Sequence, residues 1–211
     1  LPLVIWLTLS LLWIVPGKVR ANLTKQYKIF KDTNTWVMTV IYSMTFGSFI
    51  GYSEAMPLAT KIIFGFSHVQ GADGVWSHVA NPNGPSVLTY AWIGPFIGAL
   101  IRPVGGWIAD KMGGARVTQI ISFVMVAAAL GAAYYMNLAY HSATPEQYFT
   151  PFFLIFLCLF LASGIGNGST FRTIAVVFDR AMAGPVLGWT SAVAAYGAFI
   201  IPQVFGEQIK A

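Results

Sequence analysis

Apolar runs of about 20 residues, the length that carries an α-helix across a bilayer, recur along this chain with only short polar interruptions. Residues 1–16, 35–64, 87–109, 117–139, 149–178 and 184–205 each read as one such stretch. Within hydrocarbon every backbone N–H and C=O must find a partner inside the protein, which leaves helices or closed barrels. A barrel strand alternates apolar and polar residues over about ten positions, and these runs do not. The expected fold class is an all-α polytopic membrane protein with about six spans. Composition agrees, since 56% of the 211 residues are hydrophobic and 9% charged, against roughly a quarter charged in an ordinary soluble domain.

The formal net charge of +5 is distributed by topology. Lys18, Arg20, Lys25, Lys28 and Lys31 lie between the first two runs, Lys111 and Arg116 between the third and fourth, and Arg180 between the fifth and sixth. Segments 66–86 and 140–148 contain neither Lys nor Arg. By the positive-inside rule, loops 17–34, 110–117 and 179–184 are expected to be cytoplasmic and the other two external. Nucleic-acid binding is therefore not expected. Trp36, Trp76 and Tyr148 stand near span ends as interfacial anchors. Residues 17–34 read as a basic cytoplasmic linker between a first helix, 1–16, and a bundle formed by 35–211. Leu1 already lies in an apolar run, without the basic flank or cleavage site of a signal peptide; the first span reads as the end of a longer helix.

Cys158 is the sole cysteine, so there is no disulfide framework or thiolate metal site. His68, His78 and His141 show no ligand spacing; neither a metal nor a cofactor is expected. Asn22 begins an "NLT" sequon, but its cytoplasmic placement sets glycosylation aside. Segment 66–86, rich in Gly, Pro, Asn and His, reads as a loop without order in preference to a cover over an opening.

The residue that most needs a reason is Arg102, within the third apolar run. On insertion scales an arginine at mid-membrane costs about 2.5–3.5 kcal/mol, so it should face a partner or a wet cavity. A snorkelling arginine is the competing reading, although lysine would snorkel as well. Its own helix offers no carboxylate before Asp110, about two turns on. An unpaired guanidinium presents a planar fork of donors that suits a small planar oxyanion. Small residues concentrate in the same runs: Gly94, Gly98, Gly105 and Gly106 in the third, "SGIGNGSTF" (163–171) in the fifth, where it is expected to break the helix, and "GWTSAVAAYGAF" (188–199) in the sixth. Such residues let helix backbones approach and slide.

These stretches carry a resemblance. "GPFIGALIRPVGGWIADKMGGARVT" (94–118) resembles the eighth-helix region of the nitrate/nitrite porter (NarK-type) family of the major facilitator superfamily, and "GWTSAVAAYGAF" its second nitrate signature in the eleventh helix. "TWVMTVIYSMTFGSFIGYS" (35–53) is similar to the seventh helix, and "SGIGNGSTF" to the tenth. The resemblance implies a chain running from the end of helix 6 through helix 11 of a bacterial cytoplasmic-membrane carrier, whose N-terminal half supplies a second substrate arginine. It implies exchange of nitrate and nitrite by alternating access, with Arg102, Tyr42, Phe46, Phe171, Asn167 and Gly168 at the substrate. Gly188, Ser191, Gly197 and Phe199 belong to the signature helix, and Asp110, Lys111 and Arg116 to a loop motif that clips helix ends.

Alternatives stand beside these readings. Phe46 and Phe171 suit core packing, and Asp110, Lys111 and Arg116 suit a solvated turn. Arg172 reads as an interfacial snorkeller. Glu54, an intramembrane carboxylate, raises proton symport as an alternative to exchange, and a carrier for another small anion is a further one. A membrane sensor or anchor would retain the spans and glycines without Arg102. "GIGNG" lies in an apolar helix and follows no strand, so it is no dinucleotide loop; with no nucleophile, base and orienting group in view, no catalytic residue is expected.

Overall fold

The computed structural model describes residues 27–210. The first expected span, 1–16, and most of the linker lie outside the described residues. After a 3-10 turn at Tyr27–Lys31, helix α1 (Thr33–Tyr42) starts where the Asp32 carboxylate accepts the Asn34 N–H at 2.9 Å. It continues through a π-helical segment, Ser43–Gly47, into α2 (Ser48–Ala59) and a second π segment, Thr60–Phe64. Hydroxyls along this span bond back to carbonyls of the preceding turn, Thr39 to Thr35, Ser53 to Phe49 and Thr60 to Met56. These three hydroxyls are thus satisfied without leaving the helix, as an apolar surround requires.

Segment 66–86 is the first departure from expectation, because it holds an antiparallel hairpin, β1 (Phe66–Gln70) and β2 (Trp76–Ala80). "FSHVQ" and "WSHVA" are near-copies separated by "GADGV". Gly74 takes φ +78, and the Asp73 carboxylate accepts the Val75 N–H at 3.2 Å, which is ordinary turn chemistry for Asp-Gly.

The third run becomes α3 (Val87–Tyr90), α4 (Ile93–Leu100) and α5 (Arg102–Met112). Pro103 has no N–H to give to the carbonyl four residues back, and the helix breaks at Ile101. Helix α6 (Gly114–Tyr140) follows after Gly113 alone, with φ 84 and ψ 131. The expected cytoplasmic loop 110–117 therefore shrinks to one residue in a conformation open to glycine. A 3-10 turn, Pro145–Tyr148, leads into α7 (Phe149–Val177). Loop 179–184 shrinks likewise, since Phe178 ends α7 and the Asp179 carbonyl already accepts the Met182 and Ala183 N–H groups at the start of α8 (Arg180–Ala194). Helix α9 (Gly197–Lys210) completes the described chain.

Val87–Met112, Gly114–Tyr140, Pro145–Val177 and Arg180–Val204 are each long and apolar enough to cross a membrane. Helix α7 lies at the centre, packed against α4, α5 and α6 on one side and the α1–α2 span on the other, while α8 and α9 cross that span. Its Phe152, Phe156 and Phe160 follow helical spacing and are buried with Met56, Phe64 and Phe149 in the main core. The expected break at 163–171 does not occur. Helix α7 runs through it unbroken, with Thr170 and Thr173 hydroxyls donating to the Gly166 and Ser169 carbonyls at 2.8 Å. Glycine permits a break without causing one, and the interruption in the third run stands instead beside Pro103, which removes a donor.

Candidate functional site

Glycines bring the broken span onto α7 backbone to backbone. A Cβ at Gly168 would stand 2.9 Å from the Arg102 carbonyl carbon, and one at Gly105 would stand 2.8 Å from the Ile165 Cα. Gly98 and Gly164 bring the two helices together one level up, beside the break. Arg102, the first residue of α5, is thereby fixed at the point where α4 and α5 part, directly against the middle of α7.

Its guanidinium Cζ lies 4.5 Å from the Phe49 ring centroid and 5.5 Å from that of Phe46, within cation–π range. No carboxylate pairs with Arg102 among the described residues. Its Nε is buried without a hydrogen-bond partner, as are Asn167 Nδ2 and Ser43 Oγ. Tyr42, 4% exposed, stacks on Phe46 with centroids 5.2 Å apart and lies 6.4 Å from the Phe171 ring. Its hydroxyl lies near the Ser191 hydroxyl of α8 and within electrostatic reach of Arg102. Tyr42 immediately precedes the π segment and Phe46 lies within it, an irregularity found often at functional sites.

The structure thus gathers Arg102, Tyr42, Phe46, Phe171 and Ser191 around one point. Asn167, 2% exposed, and Gly168 sit on the α7 face that meets the Arg102 backbone. Phe49 was not expected. The signal was its place at i+7 from Tyr42, with Phe46 between at i+4, one helical stripe in a chain with 16 phenylalanines.

Other candidates fall elsewhere. Gly197 belongs to a helix crossing, where an added Cβ would meet Gly47 Cα and C at 2.5 Å. Gly188 has nothing within 4 Å, and Phe199 is 65% exposed, so neither is part of the aromatic cluster. Glu54 is exposed on α2 and makes no contact with that cluster. Asp110 engages neither Lys111 nor Arg116. Its Oδ1 accepts from Arg172 Nε at 2.5 Å, so Arg172 is tied across the α5–α7 interface and is not a lone snorkeller. Lys111 Nζ lies 3.8 Å over the Trp107 ring, and Arg116 is exposed.

The site is thus a half-buried arginine, unpaired among the described residues, walled by aromatic rings on glycine-packed helices long and apolar enough to cross a membrane. The profile of the Major Facilitator Superfamily matches residues 2–202. The chain belongs to the major facilitator superfamily. This superfamily member is a multi-pass membrane protein with an all-α bundle. It is 40% identical over 86% of its length to the probable nitrate/nitrite antiporter NarK2 of Thermus thermophilus, covering 37% of that protein. To the nitrate/nitrite transporter NarU of Escherichia coli it is 35% identical over 90% of its length, covering 41%. The same transporter in Salmonella typhimurium is 34% identical over 92%, again covering 41%. The chain spans about two-fifths of the length of the curated relatives it matches.

Proposed function

We propose that the protein carries nitrate and nitrite across the cytoplasmic membrane by alternating access, exchanging one ion for the other, and is a carrier with no enzymatic activity. The observation that carries this reading is Arg102, a half-buried arginine whose Nε is buried without a hydrogen-bond partner and which has no carboxylate beside it among the described residues. Its fork of N–H donors matches a planar oxyanion. Phe46 and Phe49 exclude water and so strengthen that attraction, and aromatic ring edges, which are positive, face an anion favourably. Tyr42, Asn167 and Ser43 supply further donors. Relatives bearing nitrate/nitrite antiporter and transporter names support the choice of ion.

Alternating access requires a second wall. In this reading 35–211 is one bundle, 1–16 belongs to the opposing one with the second arginine, and 17–34 links them on the cytoplasmic side with the Gly113 and Phe178–Asp179 turns. The remaining outer faces meet lipid. The Gly47–Gly197 crossing, where two backbones touch without side chains between them, lets α9 pivot on the α1–α2 span as the cavity opens.

The test is counterflow in proteoliposomes containing the full-length protein. Nitrite uptake should depend on internal nitrate, and the reverse. Uptake driven by a proton gradient without a counter-ion would replace exchange with symport, and failure of both ions to move would overturn the assignment.

A further inference from the structure

The hairpin joins the ends of three spans, and its register sets His68 directly opposite His78. His68, 3% exposed, is buried beneath it, whereas His78 is exposed. Their Nδ1 atoms are 2.7 Å apart, and His68 Nε2 is 3.1 Å from the Ile63 carbonyl at the end of the α1–α2 span. The His68 N–H also donates to the Ser142 carbonyl at 3.1 Å, beyond the end of α6. Tyr140 of α6 lies with its ring centroid 4.7 Å from His68 and 6.0 Å from His78.

These contacts fix the protons. A carbonyl only accepts, so His68 Nε2 carries hydrogen and, in the neutral ring, its Nδ1 is an acceptor. His78 must then donate from Nδ1. One added proton is tolerated, because a single hydrogen still lies between the two Nδ1 atoms. A second puts a hydrogen on each, at a separation that leaves neither an acceptor. The distance also argues against a shared metal ion, since two nitrogens each about 2.1 Å from one ion and at right angles stand about 3 Å apart. No group of three or more His, Cys, Asp or Glu suited to a metal occurs among the described residues.

We propose that His68 and His78 form a proton-operated latch, which fastens the hairpin to the ends of the spans while at most one of the two rings is charged and opens when both are. Charged and titratable groups on the packed elements do not rescue the doubly charged pair. His141, at the end of α6, adds to the repulsion on His68. Tyr140 brings a ring against both imidazoles and no carboxylate. Lys61 lies in the segment that supplies the Ile63 carbonyl and is itself cationic. Glu146 of the 3-10 turn is engaged by Asn81 Nδ2 at 2.8 Å, and Asp73 is held in the hairpin turn by Val75. Burial, foremost, together with His78 and His141, holds His68 below its usual value against the raising effect of the Ile63 carbonyl. The neutral ring is therefore the native one. Its contribution is complete above about pH 6.5 and is lost as the pH falls through the depressed folded value.

Hydrogen exchange of residues 66–80 in the full-length protein in nanodiscs tests this, corrected for intrinsic rates, between about pH 7.5 and about pH 5. Protection should fall by up to about tenfold for each pH unit from about pH 6.5 down to the depressed folded value, while that of α7 stays constant. His78→Gln, whose amide still donates to His68 but cannot take the second proton, should flatten the profile. A flat profile in the unsubstituted protein, or the same slope in the variant, overturns the latch. Nitrogen-15 NMR of the histidine rings, which needs no variant, should show two separated steps for the pair. Independent titration of both rings near the ordinary value of about 6.5 would overturn it equally.

Discussion

Two arginines sit on the same pair of helices and have opposite surroundings. Arg172 of α7 is half exposed and closed by Asp110 of α5. Arg102 of α5 turns its buried, unpartnered Nε inward beside Phe46 and Phe49, with no carboxylate at hand among the described residues. The difference separates an arginine that holds structure from one that awaits a ligand. A half-exposed pair gains little, because water already solvates both charges. A charge set within a membrane span without a partner is costly even when only part of it is buried, and an anionic substrate is the group that would relieve that cost.

The sharpest way to break this contrast is Arg102→Lys. Lysine keeps the charge but loses the planar fork, and the expected loss in exchange is roughly a hundredfold or more, on the order of 3 kcal/mol. The counterflow assay should show this while the protein still inserts and melts normally. Arg172→Lys in the same assay should change exchange little. Equal losses from the two variants would erase the distinction.

Gly168→Ala comes next, because it displaces Arg102 without touching its side chain. The new Cβ would crowd the Arg102 carbonyl and stand 3.1 Å from the Gly106 nitrogen, so α5 and α7 must separate. Overpacking of this kind costs about 1–3 kcal/mol. Thermal unfolding in detergent should show it, together with weakened nitrite affinity. Gly188→Ala, at a position with nothing within 4 Å, should leave both unchanged. Tyr42→Phe is a smaller change, retaining the stack on Phe46 and removing one hydroxyl. An expected loss of about 0.5–1.5 kcal/mol in substrate affinity would be read from the concentration dependence of counterflow.

What the sequence revealed depended on how local the governing physics was. Spans are legible because hydrocarbon demands long apolar helices wherever they cross, and five of the six expected stretches lie among the described residues as helix. Arg102 is legible because arginine in such a run is expensive. Phe49 is not, since one phenylalanine in an aromatic-rich chain carries no mark until a guanidinium is seen 4.5 Å away. The hairpin was hidden by its Gly-, Asn- and His-rich composition, although the near-repeat of "FSHVQ" in "WSHVA" encoded its pairing. The helix break was sought among the glycines of 163–171 and lies at Ile101, beside Pro103; α7 runs on through its glycines, whose missing side chains let two helices meet.

The smallest predicted effect tests the other arm of the contrast. Asp110 and Arg172 are separated by 62 residues in sequence, so their pairing came from the fold and not from any local motif. With both side chains about half exposed, a double-mutant cycle through Asp110→Asn and Arg172→Gln should give a coupling of no more than about 1 kcal/mol, diminishing as salt is raised. The exchange rate offers a second reading of the same pair. If the pair clips α5 to α7 in only one state of the transport cycle, breaking it shifts the balance between states and alters the rate without altering substrate affinity. A pair that persists throughout would leave the rate as it was. A coupling well above 1 kcal/mol would place Arg172 in a drier setting than its exposure indicates, and the two arginines would then differ in their partners alone.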